Sequence, residues 1–356
     1  MQLVAYGAQD IYLTGNPQIT FFKVVYKRHT NFAIESIEQT IMGNYDFGKK
    51  FTVTIARNGD LLNRIYLEVD VSGAIHDYDG FRLIDYVEVE IGGQVIDKQY
   101  GEWMAVWCDL SHTYDQQGML QSMVGSEASL SGNSTFIKKL YIPLQFWFCR
   151  NPGLALPLIA LQYHEVKLNV KLASYESAGE IEAIKDMQIY CDYVFLDTDE
   201  RRRFAQVSHE YLIEQVQYSN ELKSSNGSNQ QELRFNHPVK ELAWVIGGFG
   251  GTYELDDAII QLNGHDRFKR RDGSYFTKTQ RYEKHTGKGV LGNIHIYSFA
   301  VKPEEHQPSG SCNFSRIDNA VINYSQSSPD STFRMYAVNY NVLRIMSGMG
   351  GLAYSN

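Results

Sequence analysis

The chain has 356 residues, 33 Lys+Arg against 41 Asp+Glu, a formal net charge of −8 and 43% hydrophobic residues. Single cores stop growing near about 250–300 residues, so this length predicts two soluble globular domains. The acidic balance argues against direct nucleic-acid binding, which needs clustered Lys and Arg, and no apolar run reaches the roughly 18–20 residues that span a bilayer.

The opening Met1-Gln2-Leu3-Val4-Ala5-Tyr6-Gly7 lacks a basic stretch followed by an apolar one, so secretion by the usual route is not expected. Cys108, Cys149, Cys191 and Cys312 lie far apart without a Cys-x-x-Cys pair. They read as small core residues in a reducing cytoplasm, not as a zinc site or a disulfide framework.

Along the chain the dominant signal is period-two alternation. Phe51, Val53 and Ile55 alternate with Thr52 and Thr54, and Ile65, Leu67, Val69 and Val71 with Arg64, Tyr66, Glu68 and Asp70. Such runs suit half-buried antiparallel strands. A strand over residues 86–91 follows, then a helix over residues 102–110, where Trp103 and Trp107 share one face with Val106 and Leu110 close by. The tryptophans read as core, not as a sugar-stacking platform. Residues 116–135 are rich in Gly and Ser and predict a loop.

Val166, Leu168, Val170 and Leu172 alternate with Glu165, Lys167, Asn169 and Lys171, and a strand over residues 187–195 comes next. A short helix is expected to start at Asp197, with Glu200 three residues on as in a capping box. Arg201, Arg202 and Arg203 continue it. Beside Asp197, Asp199 and Glu200 they read as a solvated or salt-bridged linker and not as an anion site. Strands are predicted over residues 211–218, 239–246, 258–262, 294–299 and 333–343, with loops at 219–230 and at Gly247–Gly251. The chain is mainly β.

The halves echo each other. Asp85 to Gly93 aligns with Asp256 to Gly264 at a constant offset of 171 (256 − 85 and 264 − 93), each a strand ending in Gly-Gly or Asn-Gly, a strong hairpin signal. Arg64–Val69 corresponds loosely to Glu241–Ile246. So long a period implies duplication of a whole domain, hence two β-sandwiches joined by a short helix near residues 197–206.

Chemistry-bearing motifs fall short. Gly247–Gly251 lacks the Gly-Lys-Ser/Thr of a phosphate loop, and neither His76-Asp77-Tyr78-Asp79 nor Glu304-Glu305-His306 has calcium-loop spacing. His295 has Tyr297 where a cupin-type pair needs a second His. No Gly-x-Ser-x-Gly elbow occurs. No catalytic, cofactor or metal residue is therefore assigned. Sequons stand at Asn133, Asn226, Asn313 and Asn323, the first two in expected loops.

Four long segments carry a resemblance. They are residues 2–32 (QLVAYGAQDIYLTG, then NPQITFFKVVYKRHTNF), 146–168 (FWFCRNPGLALPLIALQYHEVKL), 302–320 (KPEEHQPSGSCNFSRIDNA) and 337–356 (AVNYNVLRIMSGMGGLAYSN). Together they resemble the major capsid proteins of nucleocytoplasmic large DNA viruses. The resemblance implies a double jelly roll of two tandem eight-stranded sandwiches with a few short helices: an arm at 1–30, a first roll at 31–206 ending in the linker helix, and a second at 207–356. It implies a non-enzymatic virion protein, assembled in the host cytoplasm, whose trimers form pseudo-hexagonal capsomers tiling an icosahedral shell.

The arm would reach minor capsid proteins, neighbouring capsomers and the internal virion membrane. Phe21, Phe22, Val24, Val25 and Tyr26 offer apolar surface there, and Lys23, Lys27 and Arg28 supply charge. The chain is compact for a family whose members often carry longer outer loops. Competing readings are a minor capsomer of the same fold and a tandem jelly-roll carbohydrate-binding module using end-loop aromatics such as Phe249.

Overall fold

The computed structural model describes residues 29–125, 138–247, 255–287, 289, 291–327 and 331–355. Most of the expected arm, with Lys23, Lys27 and Arg28, lies outside the described residues, as do Asn133, Phe249 and most of the Gly247–Gly251 loop. Strands of four residues or more are β1 (Phe32–Gln39), β2 (Lys50–Thr54), β3 (Leu61–Gly73), β4 (Ile84–Ile91), β5 (Gln94–Tyr100), β6 (Lys138–Pro143), β7 (Val166–Leu172) and β8 (Ile181–Leu196). They continue as β9 (His209–Ser224), β10 (Gly227–Glu232), β11 (Pro238–Ile246), β12 (Asp257–Leu262), β13 (Ile294–Ser298), β14 (Ala320–Gln326), β15 (Ser331–Met346) and β16 (Met349–Leu352). The longer helices are α1 (Gly101–Ser111), α2 (Tyr114–Val124) and α3 (Thr198–Gln206).

Every strand pair is antiparallel. In the first half the sheets run β1-β8-β3-β6 and β2-β7-β4-β5. In the second they run β9-β15-β11-β13 and β10-β14-β12, the latter extended by the two-residue strand His265–Asp266. Apart from the hairpins β4–β5 and β12 with His265–Asp266, consecutive strands alternate between two facing sheets in the same order in both halves. This is the jelly-roll pattern, made twice, so the fold is a double jelly roll.

The expected repeat lands on equivalent positions. Tyr86–Ile91 and Ala258–Leu262 fall in β4 and β12, which hold the same place in their sheets. Each ends in a turn with two positive φ angles, 57° and 88° at Gly92 and Gly93, and 51° and 76° at Asn263 and Gly264. That backbone matches the right-handed twist of the strands it joins, which is why Gly and Asn occupy it.

Two expected loops fold differently. Residues 219–230 form the end of β9 and the start of β10, with only Ser225 and Asn226 between the strands. Gly227-Ser-Asn-Gln-Gln-Glu232 shows no apolar alternation because it is an edge strand, held by its ladder to β14. Residues 116–124 belong to α2, where the Thr113 N–H donates to Gln116 Oε1 at 3.1 Å and stops the first turn from fraying. Strands β1, β5, β6, β10, β14 and β16 carry weaker patterns and were not foreseen as strands.

Helix α3 begins as expected: Asp197 Oδ1 accepts the N–H groups of Asp199 at 3.1 Å and Glu200 at 3.0 Å. Arg201 Nε meets Asp60 Oδ1 at 2.9 Å, while Asp60 Oδ2 accepts the Leu196 N–H at 2.8 Å, so the first arginine of the run ties the linker to the first half.

Candidate functional site: the seam between the halves

Helix α1 is apolar on two sides because it packs on two sides. Met104, Ala105 and Cys108 join the core of the first half. Trp103, Val106, Trp107 and Leu110 face the second half, against Val216 of β9, Ala243 and Val245 of β11, Ile294 and Ile296 of β13, and Tyr336 and Val338 of β15. The tryptophans are core residues as expected, but of a core shared between halves.

The same contact explains strand β11. Leu242, Trp244 and Ile246 point into the sandwich of the second half, and Ala243 and Val245 point at α1, so the strand is apolar on both faces. Its counterpart β3 keeps Ile65, Leu67, Val69 and Val71 inward, with the partly exposed Tyr66, Glu68 and Asp70 outward.

Charged pairs cross this apolar seam. Glu102, at the start of α1, accepts from Arg334 Nε and from one of its terminal nitrogens, both at 2.7 Å, and from the Tyr336 hydroxyl at 2.6 Å. Burial and the Glu102 charge push that hydroxyl well above the usual tyrosine range. Asp109, at the other end of the helix, accepts from Arg281 at 3.1 Å and from the Leu291 N–H at 3.3 Å. Asp97 of β5 accepts the Val216 N–H at 3.1 Å, and burial raises its carboxyl to about 6 against the pull of that bond.

A second cluster gathers around Trp107. Glu214 accepts from Arg150 at 3.2 Å and from Lys240 Nζ at 2.7 Å, and Lys240 also donates to the Pro303 carbonyl at 2.6 Å. Both cations lie against the Trp107 ring, Arg150 at 4.4 Å and Lys240 at 5.3 Å from its centroid. Lys240 is fully buried, so the carboxylate, the carbonyl and the ring replace its lost water.

Beside it, His285 bridges Glu241 Oε2 at 3.0 Å and Glu304 Oε1 at 3.1 Å. Burial works against charge on the imidazole, but the two carboxylates outweigh it and raise His285 to about 9. Burial likewise opposes charge on Glu241, and His285 overcomes it, holding that carboxyl below its ordinary range. The ring therefore donates both N–H groups as an imidazolium.

The motifs weighed from sequence serve local structure. Asp79 Oδ2 accepts the His76 N–H at 2.7 Å and closes a turn in which Tyr78 has φ 64°. His76 Nε2 lies 3.3 Å from Glu180. Of Glu304-Glu305-His306, the first belongs to the His285 bridge and the second pairs with Lys302 at 2.8 Å. His295 is buried, stacks on Trp244 at 5.8 Å, and is pushed down by burial to about 4. Among the sequons, Asn226 sits exposed at the β9–β10 turn, Asn313 caps a 3₁₀ turn, and Asn323 lies within β14 bonded to Gln261 at 2.9 Å. Among the described residues no three His, Cys, Asp or Glu side chains gather as a metal site.

Sequence reading missed Glu102, Asp109, Glu214, Lys240, Glu241, Arg281, His285 and Arg334. A signal existed for some: Lys240-Glu241 interrupts an otherwise apolar run, and Glu214 stands in an alternating one. A charge at a buried strand position implies a buried partner.

Comparison with known proteins gives this architecture relatives. A family model described as the major capsid protein N-terminus matches residues 20–197, and one described as the large eukaryotic DNA virus major capsid protein matches residues 200–247 and 250–351. The major capsid protein of Pyramimonas orientalis virus is 53% identical over 396 residues, covering 100% of this chain and 99% of the relative. That of Paramecium bursaria Chlorella virus 1 is 45% identical over 437 residues, with the same coverage. These alignments exceed the 356 residues here by 40 and 81 positions (396 − 356 and 437 − 356), so the relatives carry insertions that this chain lacks. Among solved structures, a quasi-atomic model of the PBCV-1 virus capsid matches at a TM-score of 0.86 and 40% identity, covering 95% of this chain and 100% of that one. The Faustovirus major capsid protein shares the fold at a TM-score of 0.78 and 12% identity, over 96% of this chain and 94% of that one.

Proposed function

This chain belongs to the major capsid proteins of large eukaryotic DNA viruses, and on that premise we propose that three copies form a capsomer with a pseudo-hexagonal outline that tiles an icosahedral shell. As a capsid protein it is a structural component of the virion. The observation that carries the three-copy reading is the repeated strand order, β1-β8-β3-β6 matched by β9-β15-β11-β13, in two halves fastened through α1. Two like halves per copy and three copies per ring give six similar units, and head-to-tail contacts close into such a ring when each turns the next copy by a third of a circle.

In this reading the rolls span residues 31–206 and 207–356, and the work of the chain is mechanical. The buried Glu102–Arg334, Asp109–Arg281 and Arg150–Glu214 pairs fix one orientation of the halves, since any other leaves a charge unpaired in an apolar seam. Residues 1–30 form an arm towards minor capsid proteins, neighbouring capsomers and the internal membrane, with Lys23, Lys27 and Arg28 meeting acidic groups.

Sedimentation of the purified chain at micromolar concentration tests the assembly. A species of about 122 kDa (3 × 40.7 kDa) is expected, and a well-folded species of 40.7 kDa alone contradicts it.

A further inference from the structure

The seam inside the chain has an uncovered counterpart on its outside. Gly101, at the start of α1, packs against the carbonyls of Phe81 and Ile84, and Gly273 packs in the same way against the carbonyl of Leu255. The two glycines stand 172 residues apart (273 − 101) and mark equivalent points of the halves. Adding 172 to Trp103, Val106, Trp107 and Leu110 gives Tyr275, Lys278, Thr279 and Tyr282, on the π-turn Tyr275–Thr279 and the helix Gln280–Lys284.

The first set is buried in the seam; in the second, Lys278 and Thr279 are exposed, Tyr275 is half-buried and Tyr282 is 89% exposed. The receiving faces differ in the same way. The outer face of β9-β15-β11-β13 is covered by α1, whereas that of β1-β8-β3-β6 leaves Phe32, Ile34 and Tyr141 in solvent.

Charge points the same way. Apart from Arg281, buried against Asp109, residues 266–287 carry six Lys and Arg against three Asp and Glu, inside a chain of net charge −8. Beyond the end that Phe204 of α3 covers at Val194 and Leu196, this sheet face is acidic, with Glu38, Glu68, Asp70 and Asp192 outnumbering Arg64 and Lys139. At its middle Tyr66 and Tyr190 stack at 5.5 Å and offer a flat aromatic surface.

We propose that the Tyr275–Tyr282 stripe, with the basic residues leading into it, docks on the outer face of β1-β8-β3-β6 in a second copy of this chain, so that the contact between copies repeats the contact within one. The inference rests on the three-copy reading above and adds which surfaces meet. The inner seam is apolar and permanent; the outer one is tyrosine-rich and charged, as suits a surface that stays soluble until it assembles. The contact is head-to-tail, and three repeats close the ring with no sheet face of this kind left over.

The test uses the full chain with Arg271→Glu and Lys278→Glu, followed by sedimentation, with circular dichroism to verify the fold. A weakening of trimerisation of about tenfold or more is expected, reversed when Glu38→Lys and Asp192→Lys are added. As a second readout, Tyr282→Cys with Tyr190→Cys gives a disulfide-linked species between copies on mild oxidation, absent with either change alone, and this decides the matter should the charge variant unfold. A chain that stays trimeric in the charge variant and fails to cross-link overturns this surface and leaves the capsomer reading standing. A wild-type chain that sediments as a single folded copy overturns both.

Discussion

Glu102 on the first turn of α1 and Arg334 in β15 are 232 residues apart and meet through two hydrogen bonds of 2.7 Å each, clamping the helix of one half onto the sheet of the other. Both side chains are mostly buried, so each depends on the other for the hydration it has lost. Glu102→Gln keeps the shape and removes the charge, and is expected to cost about 2–3 kcal/mol, less than the roughly 3–5 of a fully buried pair because the site keeps some solvent. Replacing both with Glu102→Leu and Arg334→Met is expected to recover much of that loss. Urea unfolding of the two singles and the double in a mutant cycle checks it.

Trp107 supports two cations and an apolar seam at once. Trp107→Ala removes the ring that Arg150 and Lys240 lie against and leaves a cavity facing Ala243 and Ile296, so a loss of about 3–5 kcal/mol is expected. Trp107→Phe keeps a face for the cations and is expected to lose about half as much. Thermal unfolding of both variants provides the comparison.

The His285 bridge makes stability depend on pH with a definite sign. The folded imidazole titrates near 9, above its ordinary 6.5, so its contribution is complete below about 6.5 and is lost as the pH rises through 9. Glu241 is shifted down, and its contribution is lost in the opposite direction, as acid protonates it. Urea midpoints are therefore expected to fall between pH 6.5 and 9 in the wild type. His285→Asn flattens that fall while lowering stability at pH 6.

The equivalent glycines should respond alike. A Cβ on Gly101 overlaps the Phe81 and Ile84 carbonyls, and one on Gly273 overlaps that of Leu255, all backbone atoms that cannot step aside. Gly101→Ala and Gly273→Ala are each expected to destabilise by about 3 kcal/mol or more, whereas Gly118→Ala, with open space around it, is expected to gain a few tenths. Soluble yield and unfolding midpoint separate the three.

The β character was legible because Phe51, Val53 and Ile55, or Val166, Leu168 and Val170, repeat every second residue, and the duplication because Asp85–Gly93 and Asp256–Gly264 share turn residues that positive φ demands. Strand β10 was not legible, since an edge strand of Ser, Asn and Gln is specified by its neighbour's backbone and not by its own side chains. The seam was half legible. Trp103 and Trp107 announced a buried helix face, but Asp109 finds Arg281 across 172 residues, and Glu102 finds Arg334 across 232. Such pairings belong to the packing of two domains, which local pattern does not encode.

The most direct test of the central claim is electron microscopy of the purified chain. Two-dimensional averages showing hexagon-outlined particles with threefold symmetry and the mass of three copies are predicted. Averages showing only isolated two-lobed single copies, at concentrations where the protein is folded, contradict it.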